Sequence, residues 1–281
     1  MVRTASATVL DLVRKVDRGD IRLPEIQRGY VWKPAQIAGL MDSLYKQYPS
    51  GSLLLWETDE AVEERSVDIA GPNSPPSSRP QYLLDGQQRL TSLHRVFIGH
   101  EQADLRFNLG TERFQMASAA TEKDLRWIAV APLLRDEIEI FDYVAELEEK
   151  HPTIMKSDAF RRLEKLKRVG QYTYHLEILA DLPYQEVTEI FVRVNSRGRA
   201  LKSTDLALAM LSARWPGTIS RMDGLAEKLA SEGFRHLDLT FLVRLLAGVV
   251  ERSTSLVGLQ RATTDELEAG WKRVQRGLDL G

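Results

Sequence analysis

Tyr82-Leu83-Leu84-Asp85-Gly86-Gln87-Gln88-Arg89-Leu90-Thr91-Ser92-Leu93 is the stretch around which the chain reads. It begins as the apolar run of a buried strand and turns at Asp85-Gly86. It then continues with Leu90, Leu93 and Phe97 at helical spacing. A strand, a glycine turn and a helix start gather several backbone N–H groups in one place. The first N–H groups of a helix lack intrahelical partners and its dipole favours negative charge, so such a corner can hold an anion. Asp85, Gln87, Gln88, Arg89 and Thr91 add a carboxylate, two amides, a guanidinium and a hydroxyl, all costly to bury unless paired. Two readings stand side by side. Either these groups cap the helix and bridge to neighbouring segments, or they bind a ligand such as a phosphate.

Upstream of this corner, Ser6–Val16 has the spacing of an amphipathic helix ended by Gly19. Leu23-Pro24-Glu25-Ile26-Gln27-Arg28-Gly29-Tyr30-Val31-Trp32 is extended, because Pro24 breaks a helix; Arg28 there is either a snorkelling surface group or a buried anion ligand. Lys33-Pro34 opens a clear helix, with Ile37, Leu40, Met41, Leu44, Tyr45 and Tyr48 along its apolar side. Tyr48-Pro49-Ser50-Gly51-Ser52 is a turn, Leu53–Trp56 a short buried strand, and Thr58–Pro80 a long loop that turns proline- and serine-rich.

Downstream, Leu105–Leu109 and Arg113–Met116 alternate around Gly110-Thr111 as a β-hairpin. Charged amphipathic helices follow at Phe141–Lys150 and Ser157–Val169, then a strand at Tyr172–Leu179. A second polar constellation runs from Glu189 to Leu206. A helix ends near Val194 and passes into Asn195-Ser196-Arg197-Gly198, with Arg193, Arg197, Arg199 and Lys202 concentrating positive charge. It reads either as a solvated loop between helices or as a phosphate- or nucleic-acid-facing loop. Further helices are expected at Asp205–Ala213, Ile219–Ala230, Leu239–Val250 and Asp265–Gly277; Leu239–Val250 is apolar nearly all round, as a buried central helix would be.

The composition narrows the classes. A chain of 281 residues has a soft prior of roughly two domains. Its net charge of −2 carries no global basic character, so nucleic-acid binding must use local patches. Without cysteine there are no disulfides, thiolate zinc sites or cysteine nucleophiles, which suits a reducing, cytoplasmic setting. No signal-type apolar segment is recognisable, and no stretch approaches the ~18 apolar residues of a membrane span, so no membrane role is expected. HExxH, zinc-spaced histidines and GxxxxGK[ST] are absent from the sequence, and five scattered histidines give a Ser-His-Asp hydrolase little support.

Three segments together resemble one family: Leu23–Trp32, Leu84–Thr91, and Phe191–Gly198 with Leu201 and Asp205-Leu206. They are similar to the N-terminal domain of GmrSD-type, modification-dependent restriction enzymes, marked by Asp-Gly-Gln-Gln-Arg, and Tyr48–Trp56 fits too. The likeness covers about residues 8–215. It implies an α+β fold: a small mixed-sheet core like that of ParB and sulfiredoxin with flanking helices, followed by a helical subdomain. Residues 1–135 would form the core and 136–281 the helical part carrying the Phe-Val-Arg-Val-Asn-Ser-Arg-Gly loop. It further implies nucleoside triphosphate binding and hydrolysis with Mg²⁺, coupled to defence against phage DNA, including modified DNA. Relatives often carry a C-terminal HNH nuclease domain. No His-Asn-His-like segment occurs here, so the expected chain is a truncated piece, a stand-alone regulator or a partner of a separate nuclease subunit.

On that resemblance, Arg28 and Arg89 are expected at phosphate oxygens, with Gln27, Gly86 and Thr91 in the nucleotide site. Asp85 would bind Mg²⁺ or position the nucleophile, and Gln87 or Gln88 would orient the attacking water. Arg193, Asn195, Arg197 and Gly198 would close over the nucleotide. In that case Arg89→Ala abolishes turnover and leaves the melting curve nearly unchanged, whereas a large stability loss favours the corner reading. Two other classes stay open: a non-catalytic nucleotide- or DNA-sensing module, and a nuclease that nicks DNA by itself. The amphipathic helices could face a core or a second copy of the chain, so a homo-oligomer is also open.

Overall fold

The structure is a computed structural model that describes residues 1–24, 30–59, 79–196, 203–252, 256, 259 and 261–278. In chain order the elements are β1 (Val2–Thr8), α1 (Val9–Asp17), β2 (Ile21–Arg22), α2 (Pro34–Tyr45), β3 (Leu53–Glu57), β4 (Gln81–Asp85) and α3 (Gln87–Ile98). Then come β5 (Leu105–Asn108), β6 (Arg113–Met116), α4 (Ala119–Glu122), β7 (Trp127–Ala129), α5 (Val130–Leu134), α6 (Ile140–Lys150), α7 (Lys156–Lys167) and β8 (Thr173–Ala180). The chain closes with α8 (Tyr184–Ser196), α9 (Ser203–Arg214), α10 (Thr218–Ser231), α11 (Leu239–Glu251) and α12 (Thr264–Leu278). This is the expected α+β class: a mixed sheet with flanking helices, then helices alone.

The five-stranded sheet has the order β1-β8-β3-β4-β2, with β8 parallel to β3 and β2 parallel to β4. Strand alternation divides its residues between two cores. Leu53, Leu55, Leu83, Tyr174, Leu176 and Ile178 face the main core with α1, α2 and α3. Leu54, Trp56, Tyr82, Leu84 and Leu179 face the other way, onto Val187 and Phe191 of α8. The pairing of β3 with β4 slips between Leu54↔Asp85 and Leu55↔Leu83, which leaves a bulge immediately before the Asp85-Gly86 turn. Bulges of this kind bend a strand and re-aim the next side chain.

The first helix starts later than its spacing suggests. Val2–Thr8 is a strand paired antiparallel to β8 from Val2↔Leu179 to Thr8↔Thr173. Thr8 then caps α1 reciprocally with Asp11, which fixes the helix start at Val9. Residues from both sides of position 135 share the main core. The main core runs from Val9 to Ile178 and includes Val144 and Leu147 of α6 and Leu163 and Leu166 of α7, while β8 lies inside the sheet between β1 and β3.

A second core follows, built by α9 to α12 around Leu211, Trp215, Met222, Leu246 and Trp271. Here α11 buries one face through Leu242, Val243, Leu246 and Ala247, while Phe241, Arg244 and Gly248 are exposed. It is therefore an amphipathic wall of that core and not its surrounded centre. Among the described residues no helix is long and apolar enough to cross a membrane.

Candidate functional site

Gly86 makes the corner possible. It stands at φ 92°, a left-handed conformation that L side chains rarely adopt, and a Cβ there would land on the Leu53 side chain. The glycine occupies the N-cap of α3, which has no side-chain cap, so the positive end of the helix opens directly beside Asp85. The helix itself is buried almost all round, including Gln87, Gln88, Thr91, Ser92, His94 and Arg95. Such a helix needs partners for its polar groups, and most of them are identifiable.

Arg89 is held from two sides. Its Nη1 donates to the Ser50 carbonyl oxygen at 2.5 Å and its Nη2 to Asp85 Oδ2 at 3.1 Å, leaving its side chain 17% exposed. Asp85 is 38% exposed and has no further partner among the described residues. Gly51, at φ 87°, lies against the guanidinium, where any Cβ would collide with Nη1. The turn that carries Ser50 is fixed in its own right. Ser50 N and Oγ donate to Tyr172 Oη, which donates to the Tyr48 carbonyl oxygen. Tyr174 packs edge-on to Tyr172 and is buried; burial pushes its phenol above the usual range, against the opposing effects of Ser50 and the Arg89 charge. In sequence, Tyr48–Ser52 reads only as a turn. Sequence reasoning missed the two tyrosines, which only read as the start of a strand.

Gln88 is committed elsewhere. Its Oε1 accepts from Val31 N at 2.9 Å and Trp32 N at 3.1 Å. One turn on, Ser92 shares a hydrogen bond with Tyr30 Oη at 2.8 Å, and the Arg95 guanidinium stacks over the Tyr30 ring at 4.1 Å. On the other flank, Arg22 pairs with Tyr82 of β4. The segment with Gln27 and Arg28 is thus tied to β4 and α3 at both ends, although those two residues lie outside the described ones. Thr91 is 1% exposed and its hydroxyl is buried without a hydrogen-bond partner, so it faces the packed interior.

The second constellation is placed in part. Its helix, α8, continues to Ser196 and packs on β4 with Phe191 in the cluster of Leu54 and Leu84, the residue preceding Asp85. Arg193 lies in its last turn, exposed, with Glu189 Oε2 at 3.6 Å. Asn195 is helical, its side chain lying outside the described set with Arg197 and Gly198. No group of three or more His, Asp or Glu suited to a metal ion occurs among the described residues. A single half-exposed carboxylate, Asp85, remains as a ligand candidate. That fits Mg²⁺, which keeps several waters and takes one or two carboxylates together with substrate phosphates.

The chain is an α+β domain organised on an Asp-Gly-Gln-Gln-Arg strand-to-helix corner, and this class has a known family. Residues 9–212 match the GmrSD restriction endonuclease, N-terminal domain, and the chain belongs to that family. It is also similar to an uncharacterized protein of Methanocaldococcus jannaschii, 35% identical over 91 residues. That match covers 30% of this chain and only 16% of the relative's length.

Proposed function

We propose that this chain is the nucleoside triphosphate-binding and hydrolysing module of a restriction system directed against foreign, including modified, phage DNA, with cutting done by a separate nuclease domain or subunit. The observation that carries the reading is the corner itself: a helix N-terminus with glycine at its cap, beside a half-exposed carboxylate, braced by Arg89 and the Ser50-Gly51 turn. Family membership supports the restriction context.

Phosphoryl transfer to water requires charge neutralisation, alignment and an oriented water. In this reading the positive end of α3 receives phosphate oxygens, and Asp85 would hold Mg²⁺, which would supply charge neutralisation. Arg89 orients Asp85 and the turn, and contacts phosphate through an N–H that neither Ser50 nor Asp85 engages. Gln88 anchors the Val31-Trp32 backbone, and Gln87 or Gln88 orients the attacking water. Gln27, Arg28, Arg193, Asn195, Arg197 and Gly198 keep their proposed nucleotide contacts by their place in the chain. Thr91 acts from beneath, as packing.

One observation favours a second reading, a nucleotide-binding sensor without turnover: Arg89 is held by two internal acceptors and is mostly covered, as a structural brace would be. Phosphate release separates the two. The chain is assayed with each of the four ribonucleoside triphosphates and Mg²⁺, with and without DNA, beside Asp85→Ala. Turnover lost in the variant supports the hydrolase, and stimulation by DNA supports a sensing role. Nucleotide binding without turnover under every condition leaves the sensor reading.

A further inference from the structure

β1 (Val2–Thr8) stands at one edge of the five-stranded sheet, with β8 as its neighbour, and Val2–Ser6 are all exposed. The phase of the β1–β8 ladder follows from its two ends. Met1 N donates to the Ala180 carbonyl oxygen at 2.6 Å, and Ala180 N donates back to the Met1 carbonyl oxygen at 2.8 Å. At the other end Val9 N donates to the Tyr172 carbonyl oxygen at 2.9 Å. The register is constant between these points, so in an antiparallel ladder the odd-numbered residues exchange hydrogen bonds with β8. The N–H and C=O groups of Val2, Thr4 and Ser6 therefore point the other way, to the open edge. Thr8 is out of this row, because its N–H goes to Asp11 Oδ2 in the cap of α1. Edge strands of soluble proteins are normally short, bulged, charged or interrupted by proline. β1 has 7 residues, an unbroken register with β8, and neither proline nor lysine. Its single charge, Arg3, reaches back over β8 to Glu57 of β3, away from the edge.

We propose that a second copy of this chain pairs with this edge, β1 against β1, about a two-fold axis at Thr4. The outward row is self-complementary in that register and in no other uses all its groups. Val2 meets the partner's Ser6, Thr4 meets the partner's Thr4, and Ser6 meets the partner's Val2. Each pair exchanges two N–H···O=C bonds, as facing residues of an antiparallel ladder do. The side chains agree with this register. Two threonines face one another at the axis, a cross-strand pairing that sheets favour through their hydroxyls. Arg3 comes opposite the partner's Ala5, so no like charges meet, and small side chains let the backbones approach. The two-fold also closes the assembly, because each copy satisfies the open row of the other. The far edge of the sheet, β2, is a strand of 2 residues with Ile21 buried, and it offers no comparable row for further growth. A contact made along one strand is small for a specific interface, so the dimer is expected to be weak and concentration-dependent. The proposal does not rest on how the Asp85 corner is read.

The test follows the mass of the untagged full chain by sedimentation, from low to high micromolar concentration. The mass is expected to rise from one chain toward two and no further. Amide hydrogen exchange gives a second readout, one that a contact elsewhere would not move. The Thr4 and Ser6 amides should slow as concentration rises, while those of Arg3, Ala5 and Ala7, already bonded to β8, should change little. Thr4→Pro removes one outward N–H from each copy and leaves the bonds to β8 in place, as proline on a sheet edge does. It should weaken dimerisation about tenfold or more, the scale of two lost hydrogen bonds. Thr4→Lys brings like charges together at the axis and should weaken it by a similar factor, with part of the loss recovered in high salt. Both variants should melt as wild type does at a concentration where all three are monomers, and Thr4→Lys carries the test if Thr4→Pro does not fold. A wild type that stays monomeric at every concentration overturns the proposal. So does a dimer unchanged in Thr4→Lys, growth beyond two chains, or Thr4 and Ser6 exchange that ignores concentration. Asp85→Ala, which tests the corner, should leave self-association intact, so the two ideas fail separately.

Discussion

Arg89 donates to the backbone carbonyl of Ser50, 39 residues earlier, and so bolts the Tyr48–Ser52 turn to the first turn of α3. The same guanidinium reaches Asp85, so one side chain joins both walls of the corner. In the sequence, the nucleotide-site reading expects Arg89→Ala to spare stability, and the corner reading expects a large loss. With this brace on view, a loss is expected: a charged hydrogen bond to a largely covered carbonyl contributes about 1.5–3 kcal/mol, and the half-exposed pair with Asp85 adds little. Thermal melting of Arg89→Ala should fall by several degrees, with turnover falling too. Arg89→Lys keeps the charge but not the fork, and should recover part of the stability and less of the activity. A melting curve unchanged in Arg89→Ala would show that the brace does not hold the corner.

Gly51 tests the same joint from the other side. Its φ of 87° and its closeness to Arg89 leave no room for a side chain. Gly51→Ala should therefore destabilise by about 1–3 kcal/mol, part from the left-handed backbone and part from the displaced guanidinium. In the Gly51→Ala/Arg89→Ala pair the collision is gone and only the backbone strain remains. Denaturant unfolding of the two single variants and the double should thus show less than additive losses. Strict additivity would mean that Gly51 does not bear on Arg89.

What was legible in the sequence was local. Apolar periodicity located α2 and α12, alternation located the β5–β6 hairpin, and Asp85-Gly86 announced the turn between β4 and α3. The remainder depends on partners distant in sequence. β1 has mostly exposed side chains and no alternating apolar face, so only its pairing with β8, more than 160 residues on by their register, makes it a strand. β8 likewise enters the sheet, between β1 and β3, from beyond residue 135. Leu90, Leu93 and Phe97 revealed one face of α3, but its other faces bury Gln88, Ser92 and Arg95 against Val31, Trp32 and Tyr30. Polar residues that are buried because something pairs with them look, in sequence, like residues facing water.

Glu112 provides a pH test of the packing between the β5–β6 turn and its supporting helices. Tyr45 Oη donates to Glu112 Oε2 at 2.7 Å, and Arg162 Nε approaches Oε1 at 3.2 Å. The Tyr45 hydrogen bond, with help from Arg162 and Lys165, holds the carboxyl below its ordinary value of 4.5. The folded protein therefore binds this proton less well than the unfolded chain. The stabilisation is complete above the ordinary glutamate range and is lost as the pH falls through the lowered folded-state pKa. Because the carboxylate is about one-third exposed, the effect should stay within about 1 kcal/mol. Wild type should melt above Glu112→Gln at pH 7, and the gap should close on acidification below 4.5. A gap of constant size from pH 7 to pH 3 would rule this linkage out.

Gln88 joins stability to function most directly. Its single carbonyl oxygen accepts the N–H groups of Val31 and Trp32, which follow the segment bearing Gln27 and Arg28. Gln88→Leu keeps the bulk of the side chain but leaves those two donors without their acceptor, at a cost of about 1–3 kcal/mol for each one that stays buried. Gln88→Glu keeps the acceptor oxygen and gives it charge, which strengthens hydrogen bonds from N–H groups, so this variant should retain far more stability than Gln88→Leu. If the residue anchors the nucleotide-facing segment, Gln88→Leu should weaken triphosphate binding at least tenfold and Gln88→Glu should restore much of it. If Gln88 instead orients the attacking water, both variants should bind nucleotide as wild type does and lose turnover. Equilibrium nucleotide binding, phosphate release and melting on the same three proteins therefore separate an anchor from a water-positioning residue.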